Sequence, residues 1–211
     1  MSEPPSKPAR YPVLAGPFRH ELVERRSRFL CVLAPVEDEA AAQALLAELR
    51  EELPDANHHC WACLVGPPGS TARVGCSDAG EPSGTAGRPM LEALVHGPVG
   101  DVAAIVVRWF GGVKLGTGGL ARAYGGVVAE ALAAAPATER IEWAALTARL
   151  TYADAEVARR LYAAHEVQLD DERFEADVTH ALRVPIEKRD GLVAALTEAT
   201  AGRAQVDPPG A

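Results

Sequence analysis

The chain has 211 residues, a hydrophobic fraction of 48 % and a formal net charge of -8, enough length for one or two domains with a substantial core. No apolar run approaches the roughly 20 residues that span a bilayer, so no membrane partner is expected. The acidic balance argues against a wholesale polyanion binder but leaves room for a local basic patch, because steering follows the distribution of charge as well as its sum.

The opening "MSEPPSKPARYP" has no apolar core of a signal peptide and reads as a Pro-rich leader over residues 1–12, in a chain expected to be cytoplasmic. Free thiols are then expected at Cys31, Cys60, Cys63 and Cys76. "SRFLCVLAPV" predicts a strand ending at Pro35. The next segment is helical, with acidic residues in its first turn, Leu45, Leu46, Leu49 and Leu53 at helical spacing, and Pro54 as its stop. "HHCWACLVG" suits a strand closed by the turn "GPPGS", and "TARVGCSD" is its hairpin partner. A short helix follows the polar loop "DAGEPSGTAGRP", with Thr85 as candidate N-cap, Pro89 in the first turn and Gly97 beyond its end. "DVAAIVVRWF" predicts a strand buried on both faces, and a helix runs from Gly118 to Ala135, ended by Pro136.

Beyond Pro136 the pattern is strand, helix, strand, strand, helix, strand. The first helix starts at a candidate cap, Asp154. This β-α-β-β-α-β order predicts a ferredoxin-like unit. The fold class is therefore α+β in two domains, 13–137 and 138–211, with the boundary near Pro136 to Glu139. Dividing the chain after Pro136 leaves 12 basic against 15 acidic residues, then 9 against 14. The first half is closer to neutral, which favours it for any polyanion contact.

Three segments carry candidate chemistry. "HHCWAC" has the C-x-x-C spacing of a zinc site, but strand alternation points Cys60 and Cys63 apart, so no metal is expected. "SDAGEPSGTAGRP" opens a helix, where free N–H groups favour anions; Asp78 and Glu81 are the carboxylates a general base would use. It matches neither a P-loop nor a dinucleotide fingerprint, and no cofactor is expected. "RWFGGVKLGTGGLARAYGG" supplies Arg108, Lys114 and Arg122 to converge on a phosphate, with Trp109 and Phe110 as a stacking face for RNA. The alternative is that the aromatics are core and the glycines serve packing.

"GEPSGTAGRPM" followed by "VVRWFGGVKLGTGGLARAYG", with "HHCWAC" before them, resembles the IMPACT/YigZ family over essentially the whole chain. The resemblance implies an N-terminal domain similar to the second domain of a small-subunit ribosomal protein, and a C-terminal domain similar to a late domain of elongation factor G. It also implies a role around translation and stress responses. Eukaryotic members restrain a stress kinase through its activator and carry a further N-terminal domain; the two-domain layout here matches the bacterial branch. The family's motifs fall on Asp78, Gly80, Glu81, Pro82, Gly84, Thr85, Gly87 and Pro89, and on Arg108, Gly111, Gly112, Leu115, Gly116, Gly118, Gly119, Leu120, Tyr124 and Gly125. The expectation is a groove between the Thr85–Arg88 loop and the Gly111–Gly119 turn. Arg88, Arg108, Lys114 and Arg122 would supply its charge, for RNA, the ribosome or another phosphate-bearing partner. An enzyme on a phosphorylated small molecule or peptide, and a protein–protein adaptor, are the competing readings.

Overall fold

A computed structural model describes residues 8–208, and the chain divides into two compact units, one through Arg140 and one from Ile141. Residues 1–7 of the expected leader lie outside the described residues, but its end is not a leader. Arg10–Leu14 form a strand, β1, that pairs with β7 (Ala137–Ile141), and Tyr11 is buried with its hydroxyl donating to Asp101 at 2.6 Å.

The first unit is a five-stranded antiparallel sheet between helices. Its strands are β2 (Phe18–Glu24), β3 (Ser27–Pro35), β4 (His58–Leu64), β5 (Val74–Ser77) and β6 (Val102–Trp109), in the order β2-β3-β6-β4-β5. One face carries α2 (Gly87–Val95) and α3 (Thr117–Ala134), packing Met90, Leu94, Tyr124 and Val128 on Phe29, Leu33, Ala62 and Val106. The other carries α1 (Glu39–Glu52), whose Leu46 and Leu49 meet Leu30, Val32, Ile105 and Val107. Central β6 is therefore buried on both faces, and its Val102–Val107 run has no exposed side chain. The same alternation sends Cys60 into the α2–α3 core and Cys63 into the cluster around Ala42 and Val65, on opposite faces of the sheet.

Nothing in the local sequence pattern marks β2. Its burial alternates weakly, as suits an edge strand, and its turn into β3 is Arg25–Arg26, which carries none of the usual turn residues. Two expected caps also move. The Thr85 side chain does not cap α2, which starts after Ala86 with no side-chain bond from that residue; Thr85 instead donates to the Pro82 carbonyl at 2.7 Å. In the second unit Thr151, not Asp154, is the N-cap of α4 (Tyr152–Tyr162), accepting from the Asp154 N–H at 3.2 Å. Asp154 lies in the first turn and accepts both guanidinium bonds of Arg203.

The second unit runs β8 (Trp143–Leu150), α4, β9 (Gln168–Phe174), β10 (Val178–Pro185), α5 (Arg189–Ala199) and β11 (Gln205–Asp207). Its antiparallel sheet has the order β11-β8-β10-β9, with both helices packed through Ala155, Ala158, Leu192 and Leu196 on one face. The expected opening strand is β8, and the strand before it, β7, which the sequence pattern does not mark, pairs with β1.

Candidate functional site

The polar loop between β5 and α2 is organised by one carboxylate. Asp78 accepts the backbone N–H groups of Gly84, Ala86 and Gly87 at 2.8, 2.9 and 2.9 Å, capping α2 from outside it. Burial alone would raise its pKa, but these three N–H bonds outweigh that and leave it lowered. Gly87 approaches the β5 backbone so closely that a Cβ would lie 2.8 Å from the Ser77 carbonyl carbon.

Glu81 enters the core from the same loop. Its Oε1 accepts Arg108 Nη1 at 2.5 Å and the Tyr124 hydroxyl at 2.8 Å, and all three residues are buried. Tyr124 also meets Phe29 edge-on, and burial pushes its phenol well above the usual range. The Cys60 thiol lies 3.0 Å from the Asp78 carbonyl oxygen, and burial pushes it up to about 12, so it is no nucleophile at neutral pH. Arg108 reaches Ser27 Oγ at 3.4 Å through Nη2, while its buried Nε has no protein acceptor. These contacts account for both candidate general bases: Asp78 is spent on backbone and Glu81 on an ion pair.

A cleft of about 480 Å³ opens against this network, lined by Asn57, His58, Arg108, Phe110, Lys114 and the Gly116–Thr117 start of α3. Gly116, at φ 73°, is the N-cap of α3 and supplies no side-chain acceptor, so the helix presents first-turn N–H groups to that end. Lys114 is exposed and has no ion-pair partner among the described residues. The His58 ring is oriented by Nδ1, which donates to the Ala79 carbonyl at 3.0 Å, leaving Nε2 3.9 Å from Glu81 Oε1. Phe110 is 47 % exposed at the rim, and the Asn57 side-chain oxygen holds its N–H at 2.7 Å.

The expected groove is thus rearranged. Arg108 and Lys114 do line one cleft, but Arg108 is neutralised by Glu81. Arg122 lines a separate hollow of about 300 Å³ with Glu24, Arg25, Gly119 and Glu130, and only Leu115 is shared by both. Arg88 lines neither; it is exposed and pairs with Glu92 one helical turn on, and Thr85 beside it is buried. Gly84, Gly112 and Gly118 are exposed. Gly111 is a packing glycine, since a Cβ there would stand 2.0 Å from the Arg26 carbonyl carbon. Of the aromatic pair, Trp109 turns to the α1 face, donating to Asp55 at 3.0 Å beneath the Arg28 guanidinium, so Phe110 alone faces the cleft. Asn57 and the Arg25–Arg26 turn carry no sequence signal for a place at this site, and His58 stands in a motif whose zinc spacing the strand alternation disfavours. For His58 the signal was its place in the "HHCWAC" motif, next to a loop rich in backbone acceptors. Among the described residues no cluster of His, Cys, Asp or Glu is arranged to hold a metal, and no helix is long and apolar enough to cross a membrane.

Both units match families with known members. Residues 25–132 match the Impact N-terminal domain and residues 149–203 match a domain of unknown function, DUF1949. A Haemophilus influenzae protein described as an IMPACT family member is 36 % identical over 91 % of this chain and 92 % of its own. A Thermus thermophilus member is 39 % identical over 87 % and 98 %. The Escherichia coli member YigZ is 50 % identical over about half of each chain. A solved structure titled as a hypothetical protein superposes with a TM-score of 0.66 at 34 % identity, covering 94 % of this chain and 96 % of its own. The chain belongs to the IMPACT family.

Proposed function

We propose that the protein is a cytoplasmic, translation-associated regulator that binds single-stranded RNA in the Lys114 cleft of its first unit. Membership of the IMPACT family suggests a translation-related regulatory role, and the expected kinship of both units with ribosomal and elongation-factor domains points the same way. The observation that carries the reading is the pairing, in one cleft, of an unpartnered cation with an exposed aromatic ring. A phosphate would sit between Lys114 and the first-turn N–H groups of α3, where the helix dipole favours an anion. A base would stack on Phe110, as bases stack on aromatic platforms in other single-strand sites.

With Asp78 and Glu81 occupied, the residues of the cleft suit holding a ligand better than transforming one. Fluorescence-anisotropy titration with a single-stranded oligouridylate at low salt tests the reading. Binding that weakens in Lys114→Ala and in Phe110→Ala is expected; absence of binding by the wild-type chain, or binding by both variants as tight as that of the wild-type chain, refutes it.

A further inference from the structure

Next to the Lys114 cleft the chain holds two arginines in a backbone conformation that their residue type disfavours. Arg25 and Arg26 form the two-residue turn of the β2–β3 hairpin, with Glu24 opposite Ser27, and both have positive φ, 45° and 68°. Two positive φ values suit the right-handed twist of such a hairpin, but Asn-Gly or Gly-Gly adopts them far more readily than a residue with a long side chain. The side chains return nothing to the core for that strain. Both residues are exposed, the acid nearest Arg25 is Glu24 at 3.9 Å, and Arg26 has no ion-pair partner among the described residues. Backbone strain of this kind clusters at functional sites.

The turn is also fixed in place relative to the cleft. The bare Cα of Gly111 rests on the Arg26 backbone, so the loop leading to Lys114 is stacked on the hairpin tip. Arg25 and Arg122 line the neighbouring hollow, whose lining shares Leu115 with the Lys114 cleft. Arg122 Nη1 lies 3.7 Å from where a Cβ of Gly118 would stand, so its guanidinium lies along the first turn of α3 and makes no ion pair among the described residues. Two acids share that hollow, Glu24 and Glu130, and Glu130 is engaged by His20 at 3.0 Å. Arg25 and Arg122 therefore line a hollow that adjoins the Lys114 cleft at Leu115, with exposed Arg26 next to Arg25 on the hairpin tip, in a chain whose net charge is -8.

We infer that the Arg25–Arg26 turn is a second phosphate-contacting element, gripping the backbone of the same single-stranded RNA a few phosphates from the one at Lys114. This rests on the RNA reading above. The charge on this surface fits a polyanion, and the exposed ring at its far end fits bases rather than the side chains of an acidic peptide.

The test is the double variant Arg25→Asn/Arg26→Gly, which installs the sequence this turn geometry favours and removes two cations. Its thermal midpoint should rise while its affinity for oligouridylate falls about 10-fold or more at low salt. The slope of log affinity against log salt should become shallower by about 1.4, or 0.7 for each lost phosphate contact. Arg25→Lys/Arg26→Lys should retain most of the affinity. If the wild-type chain binds RNA and the Asn-Gly variant matches it in affinity and slope, the turn is only structural and this inference alone falls. A lowered midpoint in the Asn-Gly variant overturns the strain argument. If the wild-type chain binds polyglutamate but not RNA, both the reading and the inference fall.

Discussion

Arg108 and Lys114 belong to one glycine-rich segment, yet the fold treats their charges in opposite ways. Arg108 ends a strand buried on both faces and is 5 % exposed, with Glu81 against its guanidinium and Tyr124 sharing the same carboxylate oxygen. Lys114 projects from the open loop that follows, with no acid against it among the described residues. A buried charge must be matched or it unfolds the protein, whereas an exposed unmatched charge costs the fold almost nothing and is free for a partner. Within one motif, the partner rather than the residue type separates what holds the fold from what serves a ligand.

That contrast is broken most severely on the buried side. Arg108→Met leaves Glu81 as an uncompensated buried carboxylate and should lower stability by about 3–5 kcal/mol in urea denaturation. Arg108→Met combined with Glu81→Leu should recover much of the loss, because no charge is then stranded. If the single variant were as stable as wild type, Arg108 would not be the structural cation described above. Lys114→Ala, by contrast, should change stability by no more than about 0.5 kcal/mol.

On the exposed side, Phe110→Ala should weaken oligouridylate binding by the worth of one stacked base, about 1–3 kcal/mol, with little change in the urea midpoint. Trp109→Ala supplies the opposite pattern: it should lower stability through lost contact with the α1 face while leaving affinity nearly intact. Equal losses of affinity in both would mean that the cleft does not distinguish the two rings.

The smallest effect concerns acid. The folded pKa of Asp78 is lowered, so its contribution to stability is present above the unfolded carboxylate value and is lost as pH falls through the folded one. Asp78→Asn should therefore flatten the loss of stability below about pH 4, as read from denaturation midpoints across acid pH. An unchanged acid slope would mean the three N–H bonds do not favour the charged form.

Much of the fold is legible in local pattern. The uninterrupted apolar run before Arg108 announces a strand buried on both faces, and alternation in "HHCWAC" already separates Cys60 from Cys63. Both are nearest-neighbour properties. What stayed hidden depends on partners distant in sequence. The cap of α2 comes from Asp78, so the local candidate Thr85 was the wrong choice. The fate of Arg108 was set by Glu81, which only the folding of the β5–α2 loop onto β6 brings within reach. The edge strand β2 has no hairpin signal because its turn uses Arg-Arg where Asn or Gly is the ordinary sign. Its strained conformation is a property of the backbone that no local pattern records.

In the proposed function the exposed cations, and not Arg108, would hold an RNA backbone. Titrating oligouridylate into the wild-type chain across a series of salt concentrations tests it most directly. With Lys114, Arg122, Arg25 and Arg26 each on a phosphate, the slope of log affinity against log salt should be about -3. Binding that is independent of salt, or absent at low salt, would contradict the account.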